Sequence, residues 1–336
     1  MPRPSTKRQA ALFAGTAGFV TIGDWLRFAV SLLNREHVVL AQGTPHAGDE
    51  ALALVKHALR LDEDVQPFLQ SRLTPSEIAT VKNVLTRRVA DRVPAAYITG
   101  EAWLGGLRFH VNEGTLIPRS YFVELIPDSL QAALGKRKVR RALDLCTGSG
   151  CLAILLANAF PGAVVDATDV SAAALDVAQQ NIDDHGLADR VHLLEGDLFA
   201  PVSAGNYDLI ISNPPYEPSP LLDALPPEFR HEPRMALDGG GDGMTLVRRI
   251  IAESKRHLAP GGVLAIEVGG LRPEIESEFP KVKFDWPVLA NGSQAVCVAK
   301  DRALRAILLR DFFRSRRGSV AKRLRRQMGP HGSRPG

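Results

Sequence analysis

The sequence predicts an α/β fold with a Rossmann-like, mostly parallel sheet and a small helical domain ahead of it. After residue 139, short apolar segments typical of buried strands alternate with segments of helical periodicity, and this alternation favours a parallel sheet with crossover helices. The first of these strands runs into a glycine turn that opens a helix. The last two predicted strands, near 281–285 and 294–299, are joined across Asn291-Gly292, which predicts an antiparallel hairpin at the sheet edge.

Three segments ahead of that domain have apolar residues at helical spacing. They lie at 21–41, 49–61 and 75–90. Pro75 fits the first turn of the third helix, where its missing N–H leaves no hydrogen bond unmade. We expect the three helices to pack as a small bundle that leaves the arginines of the third helix on a solvated face. These arginines are Arg87, Arg88 and Arg92.

The predicted organisation has four parts. They are a helical bundle at 1–93, a linker and β-hairpin at 94–120, a catalytic domain at 121–301 and a basic tail at 302–336. The strands of the hairpin are expected at 107–111 and 115–118. The spacing of four apolar residues predicts a helix in the tail, and they are Leu304, Ile307, Leu308 and Phe312.

Composition narrows the class of protein. The chain has 336 residues, 45% of them apolar, and a net charge of +4. That charge is uneven, because residues 302–336 hold eleven basic groups and one acid, which leaves −6 on the rest of the chain. The cysteines form no CxxC pair, which favours apolar packing in a reducing cytoplasm over disulfides or a metal site. No apolar run reaches the length of a membrane span.

A glycine motif follows the strand that contains Asp144. The motif is Thr147-Gly148-Ser149-Gly150. Glycines let the backbone turn tightly and let a ligand approach, and the following helix presents free N–H groups. The next strand ends at Asp169, nineteen residues after Gly150, where an acid typically binds a ribose diol. The pattern predicts a nucleoside cofactor and fits both NAD and S-adenosylmethionine.

A third strand also ends in an acid, Asp197. This carboxylate is expected to accept from an adenine amine while Leu198 and Phe199 flank the ring, and a helix cap or loop acid is the alternative. The edge hairpin favours S-adenosylmethionine over NAD as the cofactor. An antiparallel hairpin at the sheet edge is unlike the NAD fold and is common in S-adenosylmethionine-dependent methyltransferases. We therefore expect a class I methyltransferase fold.

Asn213-Pro214-Pro215-Tyr216 follows a predicted buried strand at 207–212. Each proline fixes its φ and donates no N–H, and Pro214 pushes Asn213 out of the helical region. The motif is expected to hold the Asn213 side chain and neighbouring carbonyls in fixed directions beside an aromatic ring. Such acceptors suit a substrate with N–H donors, either an amide or an exocyclic amine. A rigid turn without chemistry is the alternative.

Together these motifs resemble the glutamine-N5 methyltransferases of the HemK type, from about residue 21 to residue 298. Within that family the chain is similar to the branch that methylates large-subunit ribosomal protein three. The closer likeness lies in 144–151 with its two cysteines, in 116–120, and in 228–233, where Arg-His precedes Glu-Pro. Glu217 departs from the family pattern, which usually has an aliphatic residue there. Glu217 is expected to alter the entrance to the substrate site without abolishing methyl transfer.

The resemblance implies a set of functional residues. S-adenosylmethionine would be bound by Asp144, Thr147, Gly148, Ser149, Gly150, Asp169, Asp197, Leu198 and Asn213. Catalysis would fall to Asn213, Pro214 and Tyr216, and the substrate would contact Asn213, Pro214, Pro215, Tyr216 and Arg119. The implied partner is the ribosomal protein. The tail is expected to be a solvated extension or an arm that holds ribosomal RNA.

Three other functions fit part of this pattern. A release-factor glutamine methyltransferase has the same chemistry with another protein partner. A nucleic-acid adenine-N6 methyltransferase also acts on an NH₂ group of a flat π system, but it needs a target-recognition region and room for a flipped base. A binding module that kept the fold without activity is the last alternative, and the intact motif residues argue against it.

Overall fold

The computed structural model describes residues 11–61, 64–203 and 206–307. The predicted tail positions Leu308 and Phe312 lie outside these residues. The class of fold is as predicted, with a helical N-terminal part followed by a mostly parallel sheet. Within the described residues, no helix is long and apolar enough to cross a membrane.

The N-terminal helices are α1 Ile22–Arg35, α2 Ala47–Leu59 and α3 Pro75–Val89. Capping boxes mark the start of α1, where Thr21 pairs with Asp24, and of α3, where Thr74 pairs with Glu77. Each pair satisfies backbone N–H groups that have no partner within the first turn of the helix. Their apolar faces pack into one core around Trp25, which is fully buried. The bundle therefore forms close to the predicted segments.

Arg88 contradicts the predicted solvated face of α3. Its side chain is 1% exposed and its Nε lies 2.7 Å from Glu50 Oε1, while Nη2 donates to the Val39 carbonyl at 2.7 Å. Helical spacing places Arg88 toward the bundle, and the residues that compensate its charge are distant in sequence. Burial raises the pKa of Glu50, and the charge of Arg88 opposes that shift.

The hairpin lies earlier than predicted. A short helix α4, Ala95–Thr99, leads into strands β1 Glu101–Leu104 and β2 Leu107–His110. Gly105 and Gly106 both have positive φ, at 58° and 77°, which suits the two-residue turn of a tight hairpin. Residues 115–118 form no strand. The Gly105-Gly106 pair marks the hairpin turn more clearly than the residues between 111 and 115 do, but the prediction assigned this pair to the linker.

The central sheet has, among the described residues, the strand order β5-β4-β3-β6-β7-β8. The strands are β3 Arg141–Leu145, β4 Val164–Asp169, β5 Val191–Glu195, β6 Tyr207–Ser212, β7 Leu258–Glu267 and β8 Val296–Lys300. Neighbours from β5 to β7 pair in parallel, and β8 pairs antiparallel with β7. All of β6 is buried, as expected of a central parallel strand covered on both faces.

Further helices accompany this sheet. They are α5 Phe122–Leu125, α6 Asp128–Leu134, α7 Cys151–Ala159, α8 Ala172–Asp184, α9 Thr245–Ser254, α10 Arg272–Glu278 and α11 Asp301–Leu304. Leu304 and Ile307, which the prediction assigned to the basic tail, are buried in the core beside β7 and β8.

The antiparallel edge is present, but the predicted strand at 281–285 is not. Only Asp285 pairs with β8, through an isolated bridge to Val298. Pro287 stands two residues further along and lacks the N–H that a continuing ladder needs. The antiparallel neighbour of β8 is therefore β7, and the segment around 281–285 adds one bridge on its other side.

Candidate active site

The carboxyl ends of the parallel strands meet at one edge of the sheet, and a cavity of about 590 Å³ opens there. We call it the sheet-edge cavity. Its lining includes residues that end or follow β3, β4, β5 and β6, namely Gly148, Asp169, Asp197, Leu198, Asn213 and Pro215. Ligands of open α/β sheets bind outside the carboxyl ends of the strands, so this cavity is the candidate active site.

The predicted glycine loop lies on one side of the sheet-edge cavity. Gly148 has φ +56°, and a Cβ added there would meet no atom within 4 Å, which leaves its backbone open to a ligand. Gly150 has φ +78° and faces inward, because an added Cβ would lie 3.1 Å from Ala178 Cβ. One glycine therefore gives access and the other allows α7 to pack against α8.

Asp144, which lies near the end of β3, and the loop residues Thr147 and Ser149 do not line the cavity. All three are buried. Thr147 Oγ1 donates to Asp144 Oδ2 at 2.6 Å, and Asn181 Nδ2 donates to the Ser149 carbonyl at 2.9 Å. These contacts shape the loop from behind. Burial raises the pKa of Asp144 to about 7.

Asp144 gives the stability of the protein a pH dependence. Its pKa rises on folding from 3.8 to about 7, so its stabilising contribution is fully present below about pH 4 and is lost as the pH rises toward 7. Asp144→Asn keeps an acceptor for Thr147 and removes the titration. We expect the unfolding free energy of the wild type, relative to this variant, to fall between pH 4 and pH 7 in denaturant titrations. A difference that does not change with pH would contradict this.

Asp169 ends β4 and faces the sheet-edge cavity. Its Oδ2 accepts from the Gly148 N–H and its Oδ1 from the Ser171 N–H, both at 2.9 Å. These bonds fix the carboxylate between the glycine loop and the start of α8. Each carboxylate oxygen has a further lone pair that can accept from a ligand hydroxyl.

Asp197 and Leu198 follow β5. Both carboxylate oxygens of Asp197 accept from Arg249 on α9, at 3.0 Å each, a partner that the sequence analysis missed. Leu198 has φ +51° and Cys146, at the end of β3, has φ +60°. Non-glycine residues rarely adopt this conformation, and such strain is concentrated at functional sites. Both residues line the cavity. Burial raises the pKa of the Cys146 thiol, which does not suit a thiolate nucleophile.

The Asn-Pro-Pro-Tyr motif leaves β6 as predicted. Asn213 and Pro215 line the cavity, while Pro214 is buried. Asn213 Nδ2 donates to the Arg119 carbonyl in a long bond of 3.4 Å. Within the described part of the chain, no donor bonds to Asn213 Oδ1. The side-chain oxygen is therefore available as an acceptor.

Tyr216 is packed away from the cavity lining. Its hydroxyl donates to Glu267 Oε1 at 3.5 Å, and burial raises its pKa. A Cβ added at Gly269 would lie 2.9 Å from the Tyr216 ring, and one added at Gly239 would lie 2.7 Å from its Cα. Glycines therefore surround the aromatic residue of the motif, and this packing holds the motif in place.

Replacing Gly243 tests that packing. Its φ is +78°, and an added Cβ would overlap the Tyr216 carbonyl. We expect Gly243→Ala to lower both the melting temperature and the turnover, with overpacking costing about 1–3 kcal/mol. Gly186→Ala is the matched control, because its φ is also positive, at +65°, and nothing lies within 4 Å of its added Cβ. Equal effects of the two substitutions on turnover would contradict the role of the contact.

Glu267 was not predicted. It is the last residue of β7 and 3% exposed. Oε2 accepts from Ser120 Oγ at 2.6 Å and from the Tyr121 N–H at 3.0 Å, and burial raises its pKa. The pattern was the one used for Asp169, an acid at a strand end, but the sequence pattern predicted this strand at 263–268 and so placed its end one residue past Glu267. Glu267 joins the motif to the segment that follows Arg119.

Arg119 lies outside the cavity lining. Its two terminal nitrogens donate to the two oxygens of Glu232 at 2.7 Å each, and its guanidinium lies 5.3 Å from the centre of the Phe229 ring. Burial acts to lower the pKa of Arg119, but the hydrogen bonds with Glu232 raise it above its ordinary value. The carbonyl of Arg119 is the group that accepts from Asn213.

The parallel sheet with one antiparallel edge strand, the glycine turn after β3 and the acids after β4 and β5 define a class I methyltransferase fold. Residues 127–242 match the family model described as Methyltransferase small domain.

The chain is 49% identical over 278 residues to the ribosomal protein uL3 glutamine methyltransferase of Bordetella pertussis, a match that covers 82% of this chain and 93% of that protein. The protein of the same name from Burkholderia pseudomallei is 46% identical over 298 residues, with 86% and 97% covered. That from Bradyrhizobium diazoefficiens is 44% identical over 281 residues, with 81% and 88% covered. The chain therefore belongs to the family of ribosomal protein uL3 glutamine methyltransferases, and the predicted family resemblance is confirmed.

Proposed function

We propose that this enzyme transfers a methyl group from S-adenosylmethionine to the side-chain amide nitrogen of a glutamine in ribosomal protein uL3. One observation carries the proposal. Asn213, whose side-chain oxygen is open to accept, shares a single cavity with Gly148, Asp169 and Leu198. An amide substrate and a nucleoside cofactor can thus meet at one edge of the sheet.

The residues of the sheet-edge cavity fit S-adenosylmethionine. The open face of Gly148 allows the methionyl part to approach the loop backbone. Asp169 would accept from the ribose hydroxyls with the lone pairs that its backbone contacts leave. Leu198 would lie beside the adenine, and Asp197 would accept from the adenine amine while it remains paired with Arg249. Asp144 and the other loop residues, Thr147, Ser149 and Gly150, would hold the loop in the conformation that exposes Gly148. When bound, the cofactor supplies an electrophilic methyl group on a sulfonium.

The protein's part in the reaction is orientation. A neutral amide nitrogen is a weak nucleophile, because its lone pair is delocalised into the carbonyl, and no base near pH 7 removes its proton easily. The Asn213 side-chain oxygen and the Pro214 carbonyl would each accept one of its N–H groups. This aims the nitrogen at the methyl group, and orientation of this kind supplies about 7–11 kcal/mol of a barrier. The same acceptors stabilise the positive charge that develops on nitrogen as the methyl group passes from sulfur to it. The methylated nitrogen then loses its extra proton to solvent, which restores the neutral amide.

Tyr216, Pro215 and Arg119 would act around this centre. Pro215 lines the cavity and would bound the glutamine side chain. Tyr216 would border the site, held by Glu267 and by neighbouring glycines. Arg119 would support Asn213 through its carbonyl. Asn213 and Pro214 therefore carry the main catalytic contribution in this proposal.

Purified enzyme incubated with labelled S-adenosylmethionine and one acceptor at a time tests the function. The acceptors are uL3, a release factor and an adenine-containing oligonucleotide. We expect label on uL3, with the methyl group placed on a glutamine amide by fragmentation mass spectrometry. Label on the release factor alone would assign the other branch of the family, and label on the oligonucleotide would show that the motif binds a base amine.

The basic tail is a second element of the proposal. We propose that it binds ribosomal RNA near the substrate in the cytoplasm, because its charge is strongly positive. Since Leu304 and Ile307 are part of the core, the chain should be truncated after Ile307 so that the fold is kept. We expect RNA affinity to fall, with a weaker dependence on salt concentration. If the truncated and full-length chains bind RNA with the same affinity at two salt concentrations, the proposal that the tail binds RNA is wrong.

A further inference from the structure

One wall of the sheet-edge cavity is built with little regular secondary structure. It runs over residues 226–240 and contains the short 3₁₀ turns Pro227–His231 and Arg234–Ala236. Pro233, Met235 and Ala236 line the cavity from this wall. A segment with few backbone ladders depends on side-chain contacts for its position. Residues 237–240 are held by backbone hydrogen bonds to Glu217 and Ser219, whereas the backbone bonds of residues 226–236 are local turn bonds. The contacts of the turn Pro227–His231 and of Glu232 after it therefore decide where residues 226–236 of the wall lie.

Glu228 connects the wall to the N-terminal helical part of the chain. Its side chain is fully buried. Oε1 accepts from the Val39 N–H at 3.1 Å and from Arg92 Nη1 at 3.3 Å, and Arg88 Nη1 lies 3.7 Å away. His231 adds a contact between its Nε2 and the Asp91 carbonyl at 2.9 Å. The partners of this turn thus belong to the helical part of the chain.

Glu232 fastens the wall to the segment behind Asn213. Its side chain is fully buried and holds Arg119 through two bonds of 2.7 Å. Gln42 Nε2 donates to the same carboxylate. The backbone of Arg119 in turn accepts from Asn213. Glu232 therefore links the helical part, the cavity wall and the predicted catalytic residue.

The charges in this region balance. The carboxylates of Glu50, Glu228 and Glu232 face the guanidiniums of Arg88, Arg92 and Arg119. Buried ion pairs add little net stability over an apolar core, but removal of one partner leaves an uncompensated buried charge. Such a set is better explained by the geometry that it fixes than by the stability that it provides.

We propose that Glu228 and Glu232 are positioning residues. Through them the N-terminal helical part of the chain sets the position of this wall of the sheet-edge cavity, and so the way in which the protein substrate reaches Asn213. This inference rests on the proposed function, since it concerns how uL3 reaches Asn213. Loss of either carboxylate would displace the wall and leave the cofactor side, at Gly148 and Asp169, unchanged.

The test compares E228Q and E232Q with D166N. Asp166 is also largely buried and ion-paired, with Arg141 at 2.8 Å, but it does not line the cavity. Folded protein is counted by the stoichiometry of S-adenosylhomocysteine binding. We expect the KM for uL3 to rise about tenfold to a hundredfold in E228Q and E232Q, with the dissociation constant of S-adenosylhomocysteine unchanged. D166N should be less stable and keep the wild-type KM.

Hydrogen–deuterium exchange gives a readout that needs no activity. Amides of residues 226–236 should exchange faster in E228Q and E232Q than in the wild type and D166N. Unchanged exchange there, or an unchanged KM accompanied only by fewer binding-competent molecules, would overturn the positioning role. Glu228→Asp keeps the charge and replaces E228Q if that variant does not fold. Failure of the wild type to methylate uL3 would refute the proposed function instead, and the exchange result would still decide the role of the two carboxylates.

Discussion

Asn213→Ala should lower kcat by about a hundredfold to a thousandfold, the range found when one preorganised hydrogen-bonding group at a reacting centre is removed. The dissociation constant for S-adenosylmethionine should change only a fewfold. The reason is geometric, since the Asn213 oxygen is open to accept at the cavity, while the proposed cofactor contacts fall to other lining residues, Gly148 and Asp169. Single-turnover assays and calorimetric titration measure the two quantities.

Two further variants sharpen that result. Asn213→Asp keeps the side-chain shape and an acceptor oxygen but loses the donor to the Arg119 carbonyl, so we expect it to retain more activity than alanine. Asn291→Ala is the control, because Asn291 is exposed in a turn and bonds to Ser293 and Tyr121. Parallel losses of turnover and cofactor affinity in Asn213→Ala would remove Asn213 from the catalytic role.

Asp169→Ala should have the opposite effect. We expect the dissociation constant for S-adenosylmethionine to rise by about a hundredfold or more, because hydrogen bonds to a charged acceptor contribute about 1.5–3 kcal/mol each. Turnover at saturating cofactor should fall less. The carboxylate also holds the Gly148 and Ser171 N–H groups, so part of the loss would arise from the loop.

Asp183→Ala is the control for this variant. Asp183 is an exposed acid on α8 whose hydrogen-bond partner is Gln179 at 2.9 Å, and its removal should leave cofactor affinity unchanged. Asp169→Asn removes the charge but keeps the shape of the side chain, so its comparison with Asp169→Ala shows how much of the cofactor affinity depends on the charge. An unchanged cofactor affinity in Asp169→Ala would exclude Asp169 from the cofactor site.

Much of the fold followed from short-range patterns. Alternating strands and helices, the glycine turn and the acid at the end of β4 depend on neighbours in sequence. They predicted the sheet and placed Gly148 and Asp169 at its edge, where both line the cavity. The Gly105-Gly106 turn is also a local pattern, but it was assigned to the linker and the hairpin was therefore misplaced. The strand at 281–285 failed because the effect of Pro287 on the ladder was overlooked.

The missed features depend on long-range pairing. Arg88 is buried because Glu50 and the Val39 carbonyl compensate it, and Glu232 is buried because Arg119 does so from more than a hundred residues away. Helical spacing places Arg88 on the buried face of α3, but the partners that compensate these charges cannot be identified from neighbouring residues. Arg249 likewise reaches Asp197 only through the packing of α9. Pairwise compensation of buried charge is fixed by the tertiary structure.

The mass of uL3 from cells that lack this enzyme tests the central claim most directly. We predict that uL3 from wild-type cells carries one methyl group on the amide nitrogen of a glutamine, that the deletion removes it, and that the wild-type gene restores it while Asn213→Ala does not. If uL3 has the same mass in both strains, or if the Asn213→Ala gene restores the methyl group fully, the proposed reaction at the sheet-edge cavity is wrong.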